Sequence, residues 1–136
     1  MTLGTVHIVM PVGSDPLHRA KQNAIRRGIE SAGLTAKFPD YSPANPRFDA
    51  GLFSRQLEAS HAVLADLTGE RPSCYFEIGF AEALRRPVHL IAELGTDIHQ
   101  SAFRHRTRFY ADVADLEAVV HAIFAEEAEL RISAAE

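Results

Sequence analysis

The sequence predicts a doubly wound α/β fold, with about five parallel strands flanked by helices on both faces. Two observations carry this. Apolar runs of strand length alternate with segments of helical period along the whole chain. Within that alternation, the stretch AVLADLTGERPSCYFEIGFAEALRRPVHLIA from Ala62 to Ala92 reads as strand, loop, helix, strand. Two strands joined by a helix of that length form a parallel βαβ unit.

Val6–Val12 is the first strand, and Gly13-Ser14-Asp15-Pro16 follows it. Asp15 suits an N-cap and Pro16 the first helical position. The helix then runs to about Ala32, with Ala24, Ile25 and Ile29 inward, and Gly33 closes it. Leu34–Phe38 is a weaker strand that suits a sheet edge. Residues 39–48, PDYSPANPRF, carry three prolines and form a surface loop, either a binding loop or a plain connector. Asp49–Ser60 is a helix with Leu52, Phe53 and Leu57 inward.

Ala62–Leu67 is an almost unbroken apolar run interrupted by Asp66, the pattern of a strand buried on both faces. Thr68–Ser73 is turn chemistry. Ser73 is placed to cap a helix that Pro87 stops. Val88–Ala92 is the next strand, Glu93–Ala102 a loop with a short helical turn, and a short strand lies near Arg108–Ala111. The last helix starts at Asp112 or Asp115 and keeps Val113, Leu116, Val120, Ile123 and Phe124 on one face. Glu126, Glu127 and Glu129 oppose the helix dipole, so its end is expected to fray.

The 136 residues fit one domain with a substantial core, spanning 1–136. A net charge of −4 argues against a nucleic-acid polymer as partner, because phosphate neutralisation needs a basic face. It leaves nucleotides open. Cys74 is the only cysteine, so an intrachain disulfide is impossible and a reducing, cytoplasmic setting is expected. No apolar stretch reaches membrane-span length, and the first ten residues read as strand rather than leader. Histidines show no metal-ligand spacing, the dinucleotide and P-loop fingerprints are absent, and no cofactor or metal is expected.

Glu77 stands out. Tyr75, Phe76, Ile78, Phe80, Ala81 and Leu84 surround it on nearly every face of its helix. A carboxylate in such a setting is either a functional acid or a partner for the helix dipole. Gly79 in the same helix suggests close backbone approach.

The order D-L-T-G (Asp66–Gly69), a short loop, Y-F-E-I-G-F-A (Tyr75–Ala81) and then an R-P-V strand start resembles the nucleoside 2-deoxyribosyltransferase-like family. That family includes transferases that exchange the base of a deoxynucleoside and hydrolases that cut the N-glycosidic bond of nucleotides. The resemblance implies a flavodoxin-like layout, for which strand order 2-1-3-4-5 is the natural expectation. It also implies Glu77 as nucleophile and active sites built at subunit contacts, hence a homodimer or higher homo-oligomer. Asp66 beside it would bind sugar hydroxyls or move a proton, or would form only an Asx turn before Gly69. Several family members carry an Asp where this chain has Phe53, and Asp49 lies one helical turn away.

In a doubly wound sheet, ligands bind at the carboxyl ends of the strands. Gly13, Ser14, Asp40, Tyr41, Thr68, Gly69 and Tyr75 are therefore the candidate substrate-binding residues, with the proline-rich loop closing over sugar or base. The loop at Gly13 suits a sugar or a phosphate, although Asp15 would repel the latter.

Two function classes follow: an enzyme acting at the N-glycosidic bond of a nucleoside or nucleotide, and a nucleotide-binding sensor of the same fold without turnover. A signalling effector of the Toll/interleukin-receptor kind is a weaker third. A response-regulator receiver fails for want of an acidic pair after the first strand, where Pro11 stands. A phosphatase loop starting at Cys74 would need Arg at Phe80.

Overall fold

The computed structural model describes residues 4–11, 15–39 and 48–135. In chain order the elements are β1 (Thr5–Val9), α1 (His18–Ser31), β2 (Thr35–Lys37), α2 (Ala50–Glu58), β3 (Ala62–Asp66), α3 (Pro72–Ala83), β4 (Val88–Glu93), α4 (Ser101–Arg104), β5 (Thr107–Tyr110) and α5 (Val113–Ala135). The five strands form one sheet in the order β2-β1-β3-β4-β5, and every adjacent pair is parallel. This is the flavodoxin-like order.

Strand alternation builds the core on both faces. Val6, Ile8, Ala62, Leu64 and Ile91 pack against Ile25 and Ile29 of α1 and Leu116, Val120 and Phe124 of α5. Val9, Val63, Ala65 and Leu90 face the other way, onto Phe53 and Leu57 of α2 and Cys74, Ile78 and Ala81 of α3. β3 is buried at all five positions, which is why it reads as a continuous apolar run. β2 has three residues and is an edge strand, as its weaker pattern suggested.

Helix ends follow local chemistry. Leu34 N–H bonds Ile29 O and Gly33 N–H bonds Glu30 O, and Gly33 has φ +88°. That is a Schellman closure, with glycine in the left-handed conformation. Asp49 caps α2, its Oδ1 accepting Leu52 N–H at 3.0 Å. α3 starts one residue before the expected Ser73 cap, with Pro72 at a first-turn position where a missing N–H is harmless. α1 starts later than expected, at His18, after a turn in which Asp15 Oδ1 accepts Leu17 N–H and the Asp15 backbone carbonyl accepts His18 N–H.

Two expectations are corrected. α5 continues to Ala135, and two of the three acids that oppose its dipole are matched by cations and imidazoles. Glu126 pairs with Arg108, and Glu127 joins His61 at 2.5 Å, His89 at 2.6 Å and Arg131 at 2.9 Å. Gly79 meets no close neighbour: a Cβ there would find nothing within 4 Å. The close approach occurs instead at Gly28, where α1 crosses α5 and a Cβ would stand 2.8 Å from the Glu117 carbonyl oxygen.

Candidate functional site

β1 and β3 are neighbours whose onward chains leave toward opposite faces of the sheet, the switch point at which this architecture opens a crevice. A cleft of about 270 Å³ lies there. Met10 and Pro11 line it from the end of β1, and Asp15, His18 and Lys21 from the start of α1. Asp66, Thr68, Gly69 and Arg71 contribute from the end of β3, and Glu93 from the end of β4.

Asp66 is 2% exposed and hydrogen-bonded through both oxygens. Its Oδ1 accepts Thr68 N–H at 2.9 Å and the Thr68 hydroxyl at 2.6 Å, and its Oδ2 accepts the Tyr110 hydroxyl at 2.7 Å. The Asx turn is thus present. The Thr68 hydroxyl in turn accepts Glu93 N–H at 2.9 Å, tying the end of β3 to β4. Burial, then the Asp66 carboxylate, push the Tyr110 hydroxyl well above its ordinary pKa, so it stays protonated and donates.

Lys21 lies under the cleft, 4% exposed. Its Nζ is 2.8 Å from Asp15 Oδ2, 3.2 Å from Glu93 Oε2, and 5.8 Å from the centre of the Tyr110 ring. Burial alone would lower its pKa. The bond to Asp15, the Tyr110 hydroxyl and the bond to Glu93 outweigh that and hold it above the ordinary lysine value. Conversely, the Lys21 ammonium holds the Asp15 carboxyl below its usual range.

Glu77 is not among the described residues lining this cleft. It sits half-buried on α3, on the α2 side of the sheet, and burial pushes its pKa up with no partner among the described residues to offset it. α3 has no acid in its first turn, so Glu77 is set beyond the reach where a carboxylate best complements the dipole. Around its helix stands an aromatic wall. Phe48 meets Phe76 at 5.1 Å, Phe53 at 5.2 Å and Phe80 at 6.0 Å, all edge to face. Phe53 is buried there against His7, and Asp49 is exposed and occupied with its cap.

Tyr75 is committed elsewhere. Its ring stacks on Phe103 at 5.9 Å and its hydroxyl donates to Glu70 Oε1 at 2.7 Å. Glu70, at φ +46°, also accepts His99 N–H at 2.8 Å and meets the His99 imidazole at 2.6 Å. Those His99 bonds, with the Tyr75 hydroxyl, hold the Glu70 carboxyl down at about 2. The strained turn at Glu70 is thus over-determined, and it fixes the loop after β4 beside the loop after β3. Burial, then Glu77, push the Cys74 thiol up to about 11, which makes it a packed residue rather than a reactive thiolate.

Asp66, Thr68 and Gly69 therefore meet in one cleft, while Glu77 and Tyr75 stand apart from it. Gly13, Ser14, Asp40 and Tyr41 lie outside the described residues, as does most of the 39–48 loop. Lys21 and Glu93 are additions. A signal for each was available: Lys21 interrupts the inward stripe of α1 with Ala24, Ile25, Gly28 and Ile29, and Glu93 ends β4 as Asp66 ends β3. Among the described residues, no group of three or more His, Cys, Asp and Glu could hold a metal ion, and no helix is long and apolar enough to cross a membrane.

No protein-family model matches the chain, and no curated protein matches it. Solved structures do. A 2-deoxyribosyltransferase from the psychrotolerant bacterium Bacillus psychrosaccharolyticus is similar at 15% identity and a TM-score of 0.58, covering 85% of this chain and 95% of that one. A flavodoxin-like domain from Synechococcus sp. is similar at 13% identity and a TM-score of 0.61, covering 91% and 98%. A diflavin flavoprotein A3 from Nostoc sp. is similar at 12% identity and a TM-score of 0.53, covering 85% and 92%. At these identities the likeness is one of fold.

Proposed function

We propose that the protein breaks or exchanges the N-glycosidic bond of a nucleoside or nucleotide, with Glu77 as nucleophile. The observation that carries this reading is the state of Glu77. It is a half-buried carboxylate without a partner among the described residues, beside an aromatic wall, in a helix that begins at the carboxyl edge of the sheet. Burying such a group without compensation costs stability, and residues that do so are found disproportionately where chemistry is done. The fold it shares with a 2-deoxyribosyltransferase supports the same reading.

The chemistry asks for a carboxylate facing an anomeric carbon. As the bond to the base lengthens, positive charge grows on the sugar, and a desolvated carboxylate stabilises that charge more strongly than a hydrated one. Attack by a Glu77 oxygen forms a glycosyl ester and releases the base, which takes a proton as it leaves. Water then completes a hydrolysis, or a second base completes a transfer. Phe48 and Phe80 offer faces and edges suited to a nucleobase. Asp66, tied to Thr68 and Tyr110, would act as a rigid hydroxyl acceptor at the far side of the sheet edge. Asp40 and Tyr41 are assigned to a loop that closes over the ligand. A homo-oligomer belongs to the same proposal, with the exposed Phe76 at the contact.

Phe53 favours a second reading, a binding module without turnover. It fills with apolar packing a place where related enzymes carry an acid, and Asp49 is engaged as a cap. A panel of nucleosides and nucleotides, with free base followed by chromatography, separates these. Base release without an acceptor indicates a hydrolase, and exchange only with an added base indicates a transferase. Saturable binding with no release of base across the panel would overturn the enzymatic reading and leave the module.

A further inference from the structure

Two donors in the cleft that would suit a phosphate, Leu17 N–H and Lys21 Nζ, are already held by carboxylates of this chain. An anion at the start of α1 would use the first helical N–H groups and the Lys21 ammonium together. Asp15 takes that place. Its Oδ1 accepts Leu17 N–H at 2.8 Å while its Oδ2 accepts Lys21 Nζ at 2.8 Å. Glu93 takes a further Lys21 proton at 3.2 Å. Among the described residues lining the cleft, the three carboxylates of Asp15, Asp66 and Glu93 outnumber the two cations Lys21 and Arg71. Arg71 has interactions of its own and is not a spare cation. A phosphate entering here would have to displace an internal anion, then sit beside the others. A sugar hydroxyl meets no such obstacle, since it can donate to Asp15 or Glu93 without breaking either ion pair.

We propose that Glu93, acting with Asp15, is a specificity-determining residue that keeps Lys21 neutralised, so that the cleft accepts the uncharged hydroxyl end of a nucleoside and rejects its 5′-monophosphate. This rests on the glycosidic reading above for the identity of the ligand, though not for the charge argument. Glu93 belongs to β4 and Asp15 to the segment before α1, so the device spans the switch point and depends on the fold bringing those ends together. Removing the Glu93 charge would leave Lys21 with one carboxylate and a proton directed at the cleft.

Binding of a deoxynucleoside and of its 5′-monophosphate is measured by calorimetry in a Glu77→Gln background, which prevents turnover from obscuring affinity. The parent is expected to favour the nucleoside by roughly tenfold or more, the scale of a like-charge contact. Adding Glu93→Gln should shrink that preference by a similar factor, with Asp15→Asn as the second variant should Glu93→Gln fail to fold by circular dichroism. A parent that binds the monophosphate as tightly as the nucleoside overturns the proposal, as does a ratio unmoved by both substitutions. If neither ligand binds, the glycosidic reading falls, and inorganic phosphate decides the charge argument alone. Phosphate should shift the amide resonances around Lys21 in Glu93→Gln and leave wild type unchanged, and Lys21→Met should abolish the effect. Shifts in wild type, or none in either variant, overturn it.

Discussion

Glu77 carries opposite predictions for activity and stability. Glu77→Gln keeps the size of the side chain and removes both the charge and the attacking oxygen. Loss of a covalent nucleophile is expected to slow base release by several orders of magnitude, on the order of 4 kcal/mol or more in the barrier. The melting temperature at pH 7 should hold or rise, because an amide is cheaper to bury than a carboxylate lacking a partner. The pH dependence follows from the direction of the shift. Burial raises the folded-state pKa of Glu77 above the ordinary carboxylate value, so the folded chain binds this proton more tightly than the unfolded one. The destabilisation is therefore absent below the unfolded value and fully developed above the folded one. Any stability gained by Glu77→Gln at pH 7 should fade as the pH falls through that window. A wild-type rate with a lowered melting temperature would instead make Glu77 part of the scaffold. At this scale the sequence made the anomaly legible, since an acid among Tyr75, Phe76 and Ile78 is visible without coordinates. It could not supply partners. Asp66 reads as one strand-end acid, and only the fold shows Tyr110, from β5, closing its second oxygen. Lys21, Asp15 and Glu93 likewise meet only through the fold.

Among the elements, the helices divide into those the sequence describes well and those whose contacts it hides. Closure of α1 at Gly33 and the start of α2 at Asp49 are local events, decided within a few residues; both positions were legible, and the structure adds that Asp49 is the cap and not the first helical residue. The α5 end was not, because Glu126 and Glu127 find their cations and imidazoles on β5, β4, the residue before β3 and the next turn of α5 itself. Glycine shows the same limit. Gly79 and Gly28 are both helical, and nothing local distinguishes the one with room from the one without. Gly79→Ala should stabilise α3 by about 0.5–1 kcal/mol through helix propensity and the unfolded chain. Gly28→Ala should destabilise by roughly 1–3 kcal/mol, because the new methyl meets the α5 backbone, which cannot rotate aside as a side chain can. Urea melts of the two variants test the assignment together. Equal effects would mean that α1 and α5 do not cross as closely as the geometry has them.

The molecule as a whole exposes apolar surface unevenly. On the α2–α3 face, Phe76 is 56% exposed, and Phe48 and Leu52 are each 46% exposed. Leu130 and Ile132, near the end of α5, form a second exposed pair. If the chain pairs through α3, as proposed, Phe76 is the residue to change. In a two-fold contact each substitution acts twice, once from each protomer. Exchanging a central aromatic anchor for a charge commonly costs roughly 2 kcal/mol or more. Doubled by symmetry, that should convert a micromolar dimer to a monomer at any practical concentration. Phe76→Lys should therefore halve the mass measured by light scattering. The monomer's melting temperature should change little beyond the loss of dimer stabilisation, since Phe76 is already mostly solvated within one chain. Leu130→Lys on the other patch should leave the mass unchanged. Base release adds a second readout. A contact that dries the wall beside Glu77 strengthens its interaction with the growing positive charge, so the Phe76→Lys monomer should also lose rate. A wild-type protein that is monomeric at micromolar concentration would remove this pairing altogether. A mass that falls in Leu130→Lys and not in Phe76→Lys would move the contact to α5 and leave the aromatic wall available to a ligand.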